Sequence, residues 1–205
     1  LINRKGLIGV LTDYKKTPAA IAKRMLQYGF DNYIMTIGEA LNGDAEHIEQ
    51  LDLATCATKT HHKLNCVLLK QIAPKEKPFG IPDAAFIPLE NRANMITKMP
   101  IRLSTISALA LQHKSVFWDI GSCTGSVAIE AKQQFPHLKI IAFEKRTECR
   151  TIIQQNTERL ATPGIEIVID DFFHLNLDQV EIPDVVFIGG HGGRLKELIH
   201  TVHQL

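Results

Sequence analysis

Apolar runs of strand length alternate with helix-period stretches along most of the chain. Leu7-Ile8-Gly9-Val10-Leu11 is a continuous apolar run bounded by polar residues, the pattern of a buried strand. Thr17-Pro18 follows, an N-cap residue before a proline at the first helical position, where the missing N–H costs nothing. Apolar residues at Ile21, Met25, Leu26 and Tyr28 continue that helix, and Gly29 supplies its stop. Tyr33–Ile37 predicts a second strand leading into Gly38-Glu39, Ala45–Leu51 a short helix, and Cys66–Leu69 a third apolar run. This first stretch is α/β material with about three strands.

Residues 73–90 break the rhythm. Pro74, Pro78, Pro82 and Pro88 interrupt a stretch that also holds Lys75-Glu76-Lys77 and Gly80, and such a run continues neither ladder nor helix. A single long surface loop is the competing reading, but loops beyond about 12–15 residues are uncommon inside compact domains. The expected organisation is therefore a first domain over 1–73, a Pro-rich linker over 74–90 and a second domain over 91–205. In the second, a helix is expected from about Pro100 to Leu111. Strands are expected at Val116–Ile120, Lys139–Phe143, Ile165–Ile169 and Val185–Ile188, and helices at Ser126–Gln134, Thr147–Leu160 and from Arg194 onward. Strands alternating with helices of this length imply a parallel, doubly wound sheet with right-handed crossovers. Its visible strands should stand in the order 3-2-1-4.

Composition narrows the functional classes. With 23 Lys+Arg against 22 Asp+Glu the net charge is +1, which gives no strong footprint for duplex nucleic acid or an anionic membrane. Hydrophobic residues make up 45% of the chain, enough for real cores, and no window approaches the roughly 18 consecutive apolar residues of a membrane span. Cys56, Cys66, Cys123 and Cys149 sit at unrelated spacings, as in a reduced, cytoplasmic protein rather than a disulfide scaffold or zinc ribbon. His61-His62 and the pair His200 and His203 have no Cys or carboxylate company at ligand spacing, so no metal is expected. Leu1–Gly6 show neither signal-peptide anatomy nor an initiator Met, and the chain is expected to be a fragment of something longer.

The chemistry-bearing stretch is Phe117-Trp118-Asp119-Ile120-Gly121-Ser122-Cys123-Thr124-Gly125-Ser126. A strand ends, turns on glycines and opens a helix, at the carboxyl end where open α/β sheets bind ligands. Glu144 ends the next strand, and a carboxylate there suits both hydroxyls of an adenosine ribose. A dinucleotide fold wants G-x-G-x-x-G with its pyrophosphate at the helix N-terminus. Here only Gly121 and Gly125 are present, and Asp119 before the turn would repel a pyrophosphate, while suiting a cationic amino-acid end. The pattern D-x-G-x-x-x-G with Glu144 favours S-adenosylmethionine over NAD. A glycine turn without any ligand is the remaining reading.

The ordered set Gly80-Ile81-Pro82-Asp83 through Phe86, Met95-Ile96-Thr97-Lys98, Ile101-Arg102, Trp118-Asp119-Ile120-Gly121 and Asp184–Gly193 resembles the precorrin-6Y methyltransferases of corrin (vitamin B12) biosynthesis, in their module acting at carbon 15. Leu11-Thr12-Asp13, Thr17-Pro18, Ile21-Ala22 and Glu39-Ala40-Leu41-Asn42-Gly43 with Glu46 are similar to the C-terminal lobe of the tetrapyrrole methylase acting at carbon 5. In bifunctional members that module comes first on the chain, as here. The resemblance implies a Rossmann-like S-adenosylmethionine-dependent fold for the second domain, and a methyl transfer coupled to decarboxylation of the ring C acetate.

The same resemblance implies contacts residue by residue. Thr97 and the turn Gly121, Ser122, Cys123, Thr124 and Gly125 would meet the cofactor, with Asp119 behind them. Glu144 would hold the ribose, and Asp171 and Phe172 the adenine. Phe172 departs from the small residue usual there, which leaves a backbone contact. Cys123 replaces the middle glycine of the usual turn, and His191 stands where a small polar residue is usual. The substrate carries many carboxylates, so Lys98, Arg102 and Arg194 are candidate anchors and His191 a candidate general acid or base. A tetrapyrrole partner is expected, without nucleic acid or membrane.

The implied sheet has three more strands beyond Ile188. The chain alone is therefore expected to keep cofactor binding but little carbon-15 activity, with the edge of its fourth strand covered by another copy in a homo-oligomer or by a continuation of the protein past residue 205. Carbon-5 methylation is not expected, because the other lobe's glycine-rich loop is absent. Two rival classes remain. A methyltransferase of RNA, protein or another small molecule would share the cofactor half, but the D/N-P-P-Y/F tetrad of amide and exocyclic-nitrogen enzymes is replaced by Gly189-Gly190-His191-Gly192-Gly193. An inactive binding or assembly module is the other.

Overall fold

The computed structural model describes residues 5–75, 79–90, 92 and 94–205. They form two compact units that divide between residues 77 and 78.

The first unit is a four-stranded sheet with two helices. Strands β1 (Leu7–Leu11), β2 (Tyr33–Glu39), β3 (His47–Asp52) and β4 (Asn65–Gln71) stand in the order β1-β4-β2-β3, and every pairing is antiparallel. Helix α1 (Pro18–Gln27) starts at Thr17, whose hydroxyl accepts from Ala20 N at 3.2 Å. Met35, Ile37, Val67 and Leu69 from the sheet, Ala22 and Met25 from α1 and Cys56 from α2 (Leu53–Thr58) are buried. The segment expected as a helix at Ala45–Leu51 is instead strand β3, paired with β2 from Glu39↔His47 to Ile34↔Asp52. Its burial alternates, Glu49 and Leu51 half-buried between exposed neighbours, so a period of two governs it. Pairing with β2, the strand just before it across residues 40–46, overrides its helical residues. The helix begins one step later, where Asp52 caps α2 by accepting from Thr55 N at 2.8 Å.

The second unit begins earlier than the expected linker allows. Ile81, Phe86 and Leu89 are buried, and Ile81 and Phe86 pack with Ile129, so residues 79–90 belong to this unit rather than to a free connection. The prolines shape an arm whose backbone is satisfied by side chains. Glu130 accepts from Gly80 N at 3.2 Å and Ile81 N at 2.9 Å. Asn156 accepts from Ile87 N at 2.7 Å and donates to the carbonyls of Ile87 and Thr124.

Beyond the arm come α3 (Met99–Ala108), β5 (Val116–Ile120), α4 (Ser126–Gln134), β6 (Lys139–Glu144), α5 (Glu148–Arg159), β7 (Ile165–Ile169), β8 (Val185–Ile188) and α6 (Leu195–His203). The order β7-β6-β5-β8, parallel throughout, is the 3-2-1-4 arrangement expected. All five residues of β5 are buried, because both faces of the sheet are covered. Phe117, Ile140 and Ala142 pack with Val127, Ala128 and Ala131 of α4 on one side. Trp118, Ile141 and Phe143 pack with Phe172 and Leu198 on the other. No described helix is long and apolar enough to cross a membrane.

Candidate active site

A cavity of about 440 Å³ opens at the carboxyl ends of β5, β6 and β8, within the size range of small-molecule sites. Its floor is the turn between β5 and α4. Gly121, Cys123 and Gly125 adopt φ of +76°, +49° and +74°, a left-handed conformation that glycine accepts freely and cysteine accepts under strain. Gly121 is also required by space. A Cβ there would stand 2.5 Å from Gly190 N, so the two glycines let the turn and the 189–193 loop touch backbone to backbone. Gly121 N and Ser122 N both donate to Phe143 O, at 2.8 and 3.1 Å.

Glu144 holds this turn from β6. Its carboxylate accepts from Cys123 N at 3.0 Å, Lys145 N at 2.9 Å and Arg146 N at 3.0 Å, and Arg146 Nη1 lies 3.2 Å from both oxygens. Behind the turn, Asp119 accepts from Ala128 N at 3.1 Å in the first turn of α4. Burial, with the Glu144 charge as a lesser cause, pushes the Asp119 carboxyl up to about 7. Asp119 Oδ1, Ser122 Oγ and Thr124 Oγ1 are buried with no hydrogen-bond partner among the described residues. Such groups ordinarily find a partner, and Ser122 and Thr124 line the cavity. Cys123 and Cys149 are raised thiols, Cys149 to about 12, through burial first and Glu144 second. Neither is an activated nucleophile.

The walls come from separate stretches of the chain. Thr97 lines one side with Asn94, Met95 and Ile96. Asp171 accepts from Phe173 N at 3.1 Å as the cap of a short turn. Phe172 also lines the cavity, with its ring in edge contact with Trp118 and Phe143. His191 and Arg194 close the rim. His191 Nδ1 accepts from Gly193 N at 3.1 Å, so the proton of the neutral ring sits on Nε2. The Arg194 guanidinium lies 3.5 Å over the Phe173 ring and pairs with Glu197.

Thus ten of the positions singled out in the sequence, Thr97, Gly121–Thr124, Glu144, Asp171, Phe172, His191 and Arg194, share one cavity. Asp119 and Gly125 lie outside its lining. Arg102 is placed elsewhere than expected. Its side chain is fully buried, 3.2 Å from Glu130 and 3.1 Å from Asp83, and donates to the carbonyls of Thr97 and Ile81. It is a clamp for the 79–97 arm and not a surface anchor for a substrate. Its helical position at the start of α3 suggested exposure, and only the folded-back arm buries it. Lys98 is exposed near Asp83 and also stands outside the cavity lining. Lys145 and Arg146 line the cavity and were missed. Their adjacency to Glu144, at the carboxyl end of a parallel strand, was the available signal.

The model of the precorrin methyltransferase domain family matches residues 90–205. The chain belongs to that family. A precorrin-6Y C(5,15)-methyltransferase (decarboxylating) of Mycobacterium tuberculosis is 27% identical over 207 residues, covering 98% of this chain and 51% of that protein. A cobalt-precorrin-6B C(15)-methyltransferase (decarboxylating) of Salmonella typhimurium is 36% identical over 104 residues, covering 51% of this chain and 53% of its own. Among solved structures, a precorrin-6y C5,15-methyltransferase from Geobacter metallireducens superposes with a TM-score of 0.57 at 35% identity, over 63% of this chain and 67% of that one. The chain spans about half the length of the curated relatives it matches.

Proposed function

We propose that the second unit binds S-adenosylmethionine and serves methylation of a precorrin-6Y or 6B type tetrapyrrole at carbon 15, with loss of the ring C acetate carboxyl as carbon dioxide. The observation that carries the cofactor half is the strained turn at the carboxyl end of β5, with its unpartnered Ser122 and Thr124 hydroxyls beside Glu144. Glu144, fixed by backbone donors, would take the ribose hydroxyls in place of its Arg146 Nη1 contacts, and Asp171 and Phe172 would flank the adenine. When bound, S-adenosylmethionine supplies an electrophilic methyl on a sulfonium. Transfer is an in-line displacement, so alignment in the cavity supplies much of the rate. Lys145, Arg146 and Arg194 at the rim match the substrate's carboxylates. The Nε2–H of His191 is the proposed donor to the carbon left electron-rich by decarboxylation.

The 27% identity to a C(5,15) enzyme runs through the first unit as well, and we assign that unit to the carbon-5 module of the same pathway. The four free cysteines fit a cytoplasmic setting. Self-association belongs to the same reading, and a concentration-independent monomer in sedimentation velocity would remove it. The deciding assay offers methyl-labelled cofactor a precorrin, RNA and protein in parallel, and asks which acceptor takes label, however slowly. Label at carbon 15 with release of carbon dioxide is expected. Label on RNA or protein alone would overturn the reading.

A further inference from the structure

Away from that cavity, the first unit carries an unexplained polar cluster on the β2–β3 edge. Glu39 ends β2 directly opposite His47, and Glu49 lies two residues further along β3 on the same face. His61, from the segment after α2, reaches into this group with a side chain only 2% exposed. Its Nδ1 lies 3.3 Å from Glu39 Oε1 and 3.8 Å from Glu49 Oε1. Yet it makes no hydrogen bond of ordinary geometry among the described residues.

The other ring nitrogen explains why. Nε2 lies 3.7 Å from Cys56 Sγ, and that thiol gives its hydrogen to Met35 Sδ at 3.2 Å. With the thiol hydrogen on Met35, Nε2 is placed to donate to the sulfur, and in that tautomer Nδ1 presents a bare lone pair to two carboxylates. Glu39 accepts from His62 N and Glu49 from Lys59 Nζ, but the buried Nδ1 between them has no donor of its own, and a cation would satisfy it together with both carboxylates.

We propose that Glu39, Glu49 and His61 bind a divalent transition ion of zinc's class, with His47 as a fourth donor. The donor set is of the nitrogen and oxygen type that zinc takes. Bonds of about 2.0–2.2 Å in a tetrahedron set donors about 3.3–3.6 Å apart, close to the observed separations. The Nε2–Cys56 contact is the kind of outer partner that fixes a ligating histidine. Lys59, 2.7 Å from Glu49 Oε1 and half-exposed, already pairs with that carboxylate and is the ion's competitor for it. His47 Nε2, 4.0 Å from Glu49, is exposed and free to turn inward. Along the chain these residues are scattered, which is why spacing alone gave no metal motif.

The test titrates zinc into the chelator-stripped protein at pH 7.5, in competition with a chromophoric chelator. One zinc per chain is expected. His61→Ala should abolish the uptake and Cys56→Ala weaken it about tenfold. Lys59→Met should tighten it, which also guards against a His61 variant that misfolds. Cys123→Ser controls for the thiol and carboxylate set Cys123, Glu144 and Cys149 in the second unit, and should leave the zinc uptake as it is. No uptake, uptake equal in His61→Ala, or uptake lost only in Cys123→Ser would each overturn the proposal.

Discussion

The two sheets of this chain have the same number of strands and opposite logic. In the second unit every strand is parallel and β5 is buried along its whole length, so helices cover both faces and all strands end on one side. That side collects Gly121, Glu144, Asp171 and the 189–193 loop into a single cavity. In the first unit every pairing is antiparallel, strand ends point both ways, and Leu11, Ile48 and Leu68 are exposed on a sheet whose other face holds Met35 and Val67. Parallel winding concentrates loops at one edge. Antiparallel winding leaves one face open and sends strand ends both ways, so chemistry on the covered face must be assembled by cross-strand pairs such as Glu39 and His47.

The sharpest way to break this comparison is to remove the charge buried in the second unit. Arg102→Met strands Glu130, itself fully buried, and should destabilise that unit by about 3–5 kcal/mol. Amide exchange in the first unit should be unchanged. A loss below about 1 kcal/mol in chemical denaturation would show that the arm does not depend on the clamp. The counterpart in the first unit is Met35→Ala, at a fully buried β2 position. It should cost about 2–4 kcal/mol, read by exchange in β2 and β4 with β5 and β6 unaffected. Equal slowing or loosening in both units would mean they unfold as one.

A smaller effect is pH-dependent. The fold raises the Asp119 carboxyl to about 7 from 3.8. Its neutral form is therefore favoured, and its contribution is complete at low pH and fades as pH rises through 7. Relative to Asp119→Asn, the ligand-free protein should lose about 2–3 kcal/mol between pH 5 and pH 8. A flat difference between the two proteins would mean that Asp119 is ionised throughout at no cost.

The same contrast sets what could be read from sequence. β5, β7, β8 and α4 run over the expected residues, and β6 ends one residue later than expected, because strands buried on both faces print as unbroken apolar runs. The turn and Glu144 were legible for the same reason, being fixed by distance from those runs. In the first unit β3 read as a helix, since four of its six residues are exposed and no unbroken apolar run marks the strand that pairs with β2. Arg102 misled because a cation at a helix start is normally solvated, and its burial depends on Asp83 and Glu130 arriving from 19 and 28 residues away. Long-range pairing of polar groups leaves no local signature.

The central claim is that the cavity in the second unit takes S-adenosylmethionine through Glu144 and the turn it holds. Calorimetric titration of that cofactor into the wild-type protein and Glu144→Gln tests it most directly. The account predicts one saturable site, with binding weakened by about 1.5–3 kcal/mol in the variant and no comparable binding of NAD. An unchanged dissociation constant in a folded Glu144→Gln protein, or a preference for NAD, would contradict it.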